Sequence, residues 1–93
     1  MRESRIEKEL TDQIKAIGGL AWKFVSPGAR GVPDRIVILP HGRIIFVELK
    51  RPGEKPDPLQ LKRHRQLREK GHVVHVIDTI EGVKDFIKGV MPK

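Results

Sequence analysis

Ile6, Leu10, Ile14 and Ile17 recur at helical spacing, which predicts an amphipathic helix over residues 4–17 stopped by Gly18-Gly19. Residues 20–25 are short, apolar and rich in β-branched or aromatic side chains, as a first strand requires. A breaker-rich, basic loop follows at residues 26–33. Residues 34–39 and 43–50 then read as two strands of an antiparallel hairpin around the tight turn Pro40-His41-Gly42. Three prolines and a glycine between 51 and 58 exclude regular structure and mark a surface connection. Residues 59–70 predict a second helix, with Leu61 and Leu67 inward and Gly71 as its stop, and residues 73–77 a last strand. Ile80, Val83, Phe86, Ile87 and Val90 mark a third helix capped near Asp78 or Thr79.

The order helix, three strands, helix, strand, helix is an α/β pattern. A strand reached through a crossover helix joins its sheet in parallel, so a small mixed β-sheet flanked by helices is expected. Ninety-three residues suffice for one core, and residues 1–93 are read as a single domain.

Charge narrows the partner. Nineteen Lys and Arg against 12 Asp and Glu give a net charge of +7, which favours a polyanion, with nucleic acid ahead of an anionic membrane surface. No apolar run approaches the roughly 20 residues that cross a bilayer, and the charged Met1-Arg2-Glu3-Ser4 start is unlike a signal peptide, so an intracellular protein is expected. The chain has no Cys and no Tyr, which removes disulfides, thiolate metal sites and cysteine or tyrosine nucleophiles. It also lacks Asn, so a His site oriented by Asn is disfavoured. Carboxylate and lysine chemistry remains.

The strand over 43–50 is apolar on both sides, with Ile44 and Phe46 pointing one way and Ile45, Val47 and Leu49 the other. Period two places Glu48 and Lys50 together on the Ile44 and Phe46 side. Charges at the end of an interior strand need a partner; the alternative is a solvated strand end. The hairpin brings Asp34 alongside Glu48. Alone, a Pro-Asp pair is an ordinary turn, but two converging carboxylates repel unless a cation lies between them, and oxygen ligation suits Mg²⁺ or Mn²⁺. The four histidines suggest no zinc site: His72 and His75 fall on opposite faces, His41 is in a turn and His64 lacks a partner at i+4. Trp22 and the Ile80 to Val90 stripe read as core or interface.

Pro33-Asp34 followed after 13 residues by Glu48-Leu49-Lys50 resembles the PD-(D/E)xK superfamily of restriction-endonuclease-like folds. More narrowly, Gly31-Val32-Pro33-Asp34, Val47-Glu48-Leu49-Lys50 and Gln60 early in the next helix resemble the VRR-NUC family. This resemblance covers residues 7–77 and implies that Asp34, Glu48 and the Leu49 carbonyl bind the metal, Lys50 lies near the scissile phosphate and Gln60 supports the site. The family also uses a first-helix glutamate, which points to Glu7 over Glu3 and Glu9. Glu7 lies about 65° from the centre of the apolar stripe and Glu9 about 95°. Ser4-Arg5-Ile6-Glu7 alternatively reads as a capping box.

Arg30, Arg35, Arg51, Lys55, Lys62, Arg63, Arg65 and Arg68 are candidate DNA-phosphate contacts, with a solvated helix face as the alternative for residues 62–68. The resemblance implies a metal-dependent, structure-specific endonuclease acting on branched DNA, with Holliday-junction resolution as the leading activity. A symmetric junction calls for a homodimer, through either the C-terminal helix or the outer side of residues 59–67. A non-catalytic DNA-binding module of the same fold, or a non-specific nicking nuclease subunit, are the competing readings.

Overall fold

The structure, a computed structural model, describes residues 3–91. It contains α1 (Glu3–Ala16), β1 (Leu20–Lys23), β2 (Arg35–Leu39), β3 (Arg43–Leu49), α2 (Pro58–Glu69), β4 (Val73–Ile77) and α3 (Ile80–Val90). This is the expected order, in a four-stranded sheet arranged β1-β2-β3-β4. The first three strands pair antiparallel, and β4 joins β3 in parallel after the α2 crossover.

Each helix stops or starts where local chemistry requires. Gly18 follows α1 with φ +87°, and its N–H and that of Gly19 return to the carbonyls of Lys15 and Ile14 at 3.1 and 2.9 Å, satisfying the helix's last acceptors. Asp57 caps α2 and Thr79 caps α3. The hairpin turn is a single 3₁₀ turn at Pro40–Gly42, with His41 in left-handed backbone conformation at φ 67°.

The sheet has two unlike faces. On one, Val37, Leu39, Ile45, Val47, Leu49 and Ile77 pack against Ile6, Leu10 and Ile14 of α1 and the Val83 to Val90 stripe of α3. That is the hydrophobic core, so the α3 stripe is interior. On the other face α2 packs over the β4 side. Cross-strand partners project to the same face, so the pairs Trp22↔Ile36 and Ile36↔Phe46 put Trp22 on this second face. It lies on β1, the edge strand farthest from β4, and is 56% exposed. Of the two expectations for Trp22, core or interface, the core is therefore excluded.

Helix α2 requires a second correction. Leu61 is 45% exposed rather than inward, and the buried position is His64 at 0%. Gln60, His64 and Leu67 recur at i, i+4 and i+7 and form the inner face. Among the described residues no helix is long and apolar enough to cross a membrane.

Candidate active site

The hairpin register pairs Arg35 with Val47, and one further step sets Asp34 opposite Glu48. Asp34 precedes β2; its carbonyl accepts from the Phe24 N–H at 2.8 Å. Its carboxylate turns across the hairpin, where Oδ2 accepts from the Leu49 N–H at 2.9 Å. In an extended strand the N–H and C=O of one residue point to the same side. The Leu49 carbonyl is thus directed to the side that Asp34 occupies, beyond the first residue of β2.

Glu48 lies on the α2 face and is 1% exposed. A carboxylate so far from water needs donors, and α2 supplies two groups one turn apart. The Gln60 Nε2 donates to Glu48 Oε2 at 3.3 Å, and His64 Nε2 lies 3.4 Å from Glu48 Oε1. Gln60 also completes a capping box: its N–H donates to Asp57 Oδ1 at 2.9 Å while its Oε1 accepts from the Asp57 N–H at 3.0 Å. One amide side chain joins the start of the helix to the buried acid. His64 is the site residue that sequence reading missed. Its signal is the four-residue step from Gln60, which puts both on one helical face.

Lys50 emerges just past β3 with its N–H donating to the Ile77 carbonyl at 2.9 Å. Its ammonium is 3.9 Å from the Glu54 carboxylate, on a side chain 13% exposed. The electrostatics at His64 tie the cluster together: burial lowers its pKa, the Arg68 and Lys50 cations push the same way, and the Asp34 carboxylate opposes them.

The Gly31-Val32-Pro33-Asp34 segment approaches α2 closely. Gly31 has φ +87°, and a Cβ there would come within 2.8 Å of the Leu59 side chain, so glycine is needed for both conformation and clearance. Arg63 secures the same loop by donating from Nε to the Arg30 carbonyl at 2.8 Å.

Glu7 reaches this end of the sheet from the opposite face and forms an ion pair with Arg35. Arg35 is 8% exposed and also donates to the Ala21 carbonyl at 3.3 Å. Glu7, Lys23, Phe24, Val25, Asp34 and Arg35 line a cleft of about 250 Å³. Ser4 lies inside α1 rather than before it, and the Glu7 carboxylate engages Arg35. A larger cleft of about 440 Å³, at Ala29, Val32, Arg63 and Leu67 among others, contains neither Asp34 nor Glu48.

Asp34, Glu48 and the Leu49 carbonyl are oxygen donors of the kind a hard divalent cation takes. Among the described residues no group of three or more His, Asp or Glu side chains converges as a metal site; such an ion would complete its shell with main chain and water. Of the basic candidates, Arg30, Arg51, Lys55, Lys62 and Arg65 are exposed. Arg35, Arg63 and Arg68 are engaged within the fold, Arg68 donating to the Val74 carbonyl at 2.7 Å.

No family model matches the chain. A protein described as "Putative nuclease p44", from Acyrthosiphon pisum secondary endosymbiont phage 1, is 60% identical over 79 residues, which span 85% of this chain and 85% of its own length. A solved structure described as "VRR_NUC domain" superimposes with a TM-score of 0.88 at 39% identity, covering 95% of this chain and 96% of its own. With that identity and near-complete coverage, the chain belongs to the VRR-NUC family.

Proposed function

We propose that this protein is a Mg²⁺- or Mn²⁺-dependent endodeoxyribonuclease that hydrolyses phosphodiester bonds in branched DNA, with a four-way junction as its preferred substrate. The observation that carries the reading is the register placing Asp34 opposite Glu48, with the Leu49 main chain held against the Asp34 carboxylate. The nuclease name of the phage relative supports it.

In this reading Asp34, Glu48 and the Leu49 carbonyl hold the ion. When bound, it acidifies a water and relieves charge on the phosphate. The remaining work falls to the chain itself. Lys50 shares a strand end with Glu48, and its ammonium, loosely paired with Glu54 at 3.9 Å, turns to a non-bridging phosphate oxygen and stabilises the charge that develops there. Gln60 fixes one oxygen of Glu48. Arg30, Arg51, Lys55, Lys62 and Arg65 supply sequence-independent phosphate contacts, consistent with the net charge of +7.

A homodimer matches the symmetry of the junction. Because the apolar stripe of α3 is used in the core, the exposed Leu20, Trp22 and Ile44 on the sheet face, and Leu59 and Leu61 on α2, supply the apolar surface for the second copy.

Cleavage of end-labelled four-way junction and matched linear duplex, with Mg²⁺, Mn²⁺ or EDTA and with Asp34→Asn alongside, tests the proposal. Paired junction cuts lost in EDTA and in the variant are expected. Equal nicking of linear duplex would replace junction specificity with non-specific cleavage. Junction binding without cutting in either metal would identify a DNA-binding module.

A further inference from the structure

We infer that His64 is a positioning residue that holds Glu48 Oε1 from α2 and so fixes the carboxylate for the divalent cation. The inference rests on the metal-site reading given above. Two observations single the histidine out. Its side chain is fully buried, with Nε2 at 3.4 Å from Glu48 Oε1, one helical turn beyond the Gln60 amide that binds Oε2. Its Nδ1 is also buried and has no hydrogen-bond partner among the described residues.

A carboxylate oxygen only accepts, so the imidazole faces Glu48 with a proton on Nε2. In the neutral ring Nδ1 is then a lone-pair acceptor enclosed without a donor. Burying such a group opposes folding, and an apolar side chain of similar volume would fill the space without that cost. A purely structural interior position on an α-helix would therefore favour leucine. What leucine lacks is the donor to Glu48. Two donors one turn apart, one on each oxygen, hold the carboxylate at two points from α2. Donors that orient a metal-binding carboxylate alter metal affinity or activity by about 10–100-fold when removed.

The test uses the full chain and three proteins: unsubstituted, His64→Leu and His64→Gln. Mn²⁺ affinity is measured by calorimetry, and thermal unfolding is followed in EDTA. The expected result is that His64→Leu binds Mn²⁺ about 10–100-fold more weakly while its metal-free unfolding shows it folded at the temperature of the titration. His64→Gln, whose amide N–H can reach the position of the imidazole Nε2–H, recovers most of the affinity. Unaltered Mn²⁺ affinity in His64→Leu would overturn the inference. So would a His64→Gln protein as weak as His64→Leu. Failure of the unsubstituted protein to bind Mn²⁺ would instead overturn the metal-site reading, and the inference with it.

Discussion

The two faces of the sheet solve opposite problems. Toward α1 and α3 the interior is built from aliphatic side chains and Phe86, and Ile6, Leu10, Ile14, Val37, Val47 and Val83 are completely enclosed. Toward α2 the enclosed side chains include Glu48 and His64, while Ile44, Trp22 and Val76 on the same face remain 42–56% exposed. Stability is concentrated on the first face, where burial is not offset by desolvated charge. The second face carries buried polar groups whose desolvation costs folding energy. The division is not absolute, since Arg35 and Glu7 form a partly buried ion pair on the aliphatic side.

Substitutions can break this comparison in a definite order. Leu10→Ala should cost about 2–5 kcal/mol of stability, read by urea denaturation, with little change in Mn²⁺ affinity per folded molecule. Glu48→Gln should reduce junction cleavage by about 10²–10³-fold yet keep or raise the metal-free unfolding temperature, because it removes a buried charge and leaves an amide that can still hydrogen-bond. Loss of fold in that variant would erase the distinction between the faces. Gln60→Glu preserves the capping-box chemistry but sets a second carboxylate against Glu48. Cleavage should fall about 10-fold with helix content by circular dichroism unchanged.

The smallest expected effect is a pH dependence on the aliphatic face. His75 stacks edge-on against Phe86 with centroids 4.9 Å apart. Burial, assisted by Arg68, lowers its pKa below the ordinary value of 6.5. The unfolded chain therefore takes up the proton first as pH falls, so this group stabilises the fold above about pH 6.5 and loses that contribution as pH drops through the lower, folded value. Metal-free unfolding temperature should decline below pH 6.5, and His75→Phe should flatten the decline.

Much of this was legible in the chain, because period and punctuation coincide. The four-residue spacing from Ile6 to Ile14, the Gly18 stop and the Pro40-His41-Gly42 turn all agree with the geometry that formed. The hairpin fixed the juxtaposition of Asp34 and Glu48, since register follows from turn length. Helix α2 was harder to orient. Its leucines at 59, 61 and 67 suggest an apolar inner side, but tertiary contact with a buried acid turns Gln60 and His64 inward and leaves Leu61 in solvent. Trp22 reads as core or interface for a related reason: apolarity does not reveal that a strand lies at the edge of a sheet, away from its covering helix. The role of Arg35 was equally hidden, since nothing local distinguishes a basic residue aimed at Glu7 from one aimed at solvent.

The β3–α2–β4 crossover also sets an order of events as the chain folds. The β2–β3 hairpin closes over a three-residue turn, so Asp34 and Leu49 can meet through nearby contacts alone. Parallel pairing of Phe46 with Val74 must instead wait for an intervening helix and a much longer loop closure. Glu48 consequently stays in water through the early steps and is dehydrated only when α2 docks. Changes in the hairpin turn should alter the folding rate, whereas changes at the docking face should appear mainly in the unfolding rate.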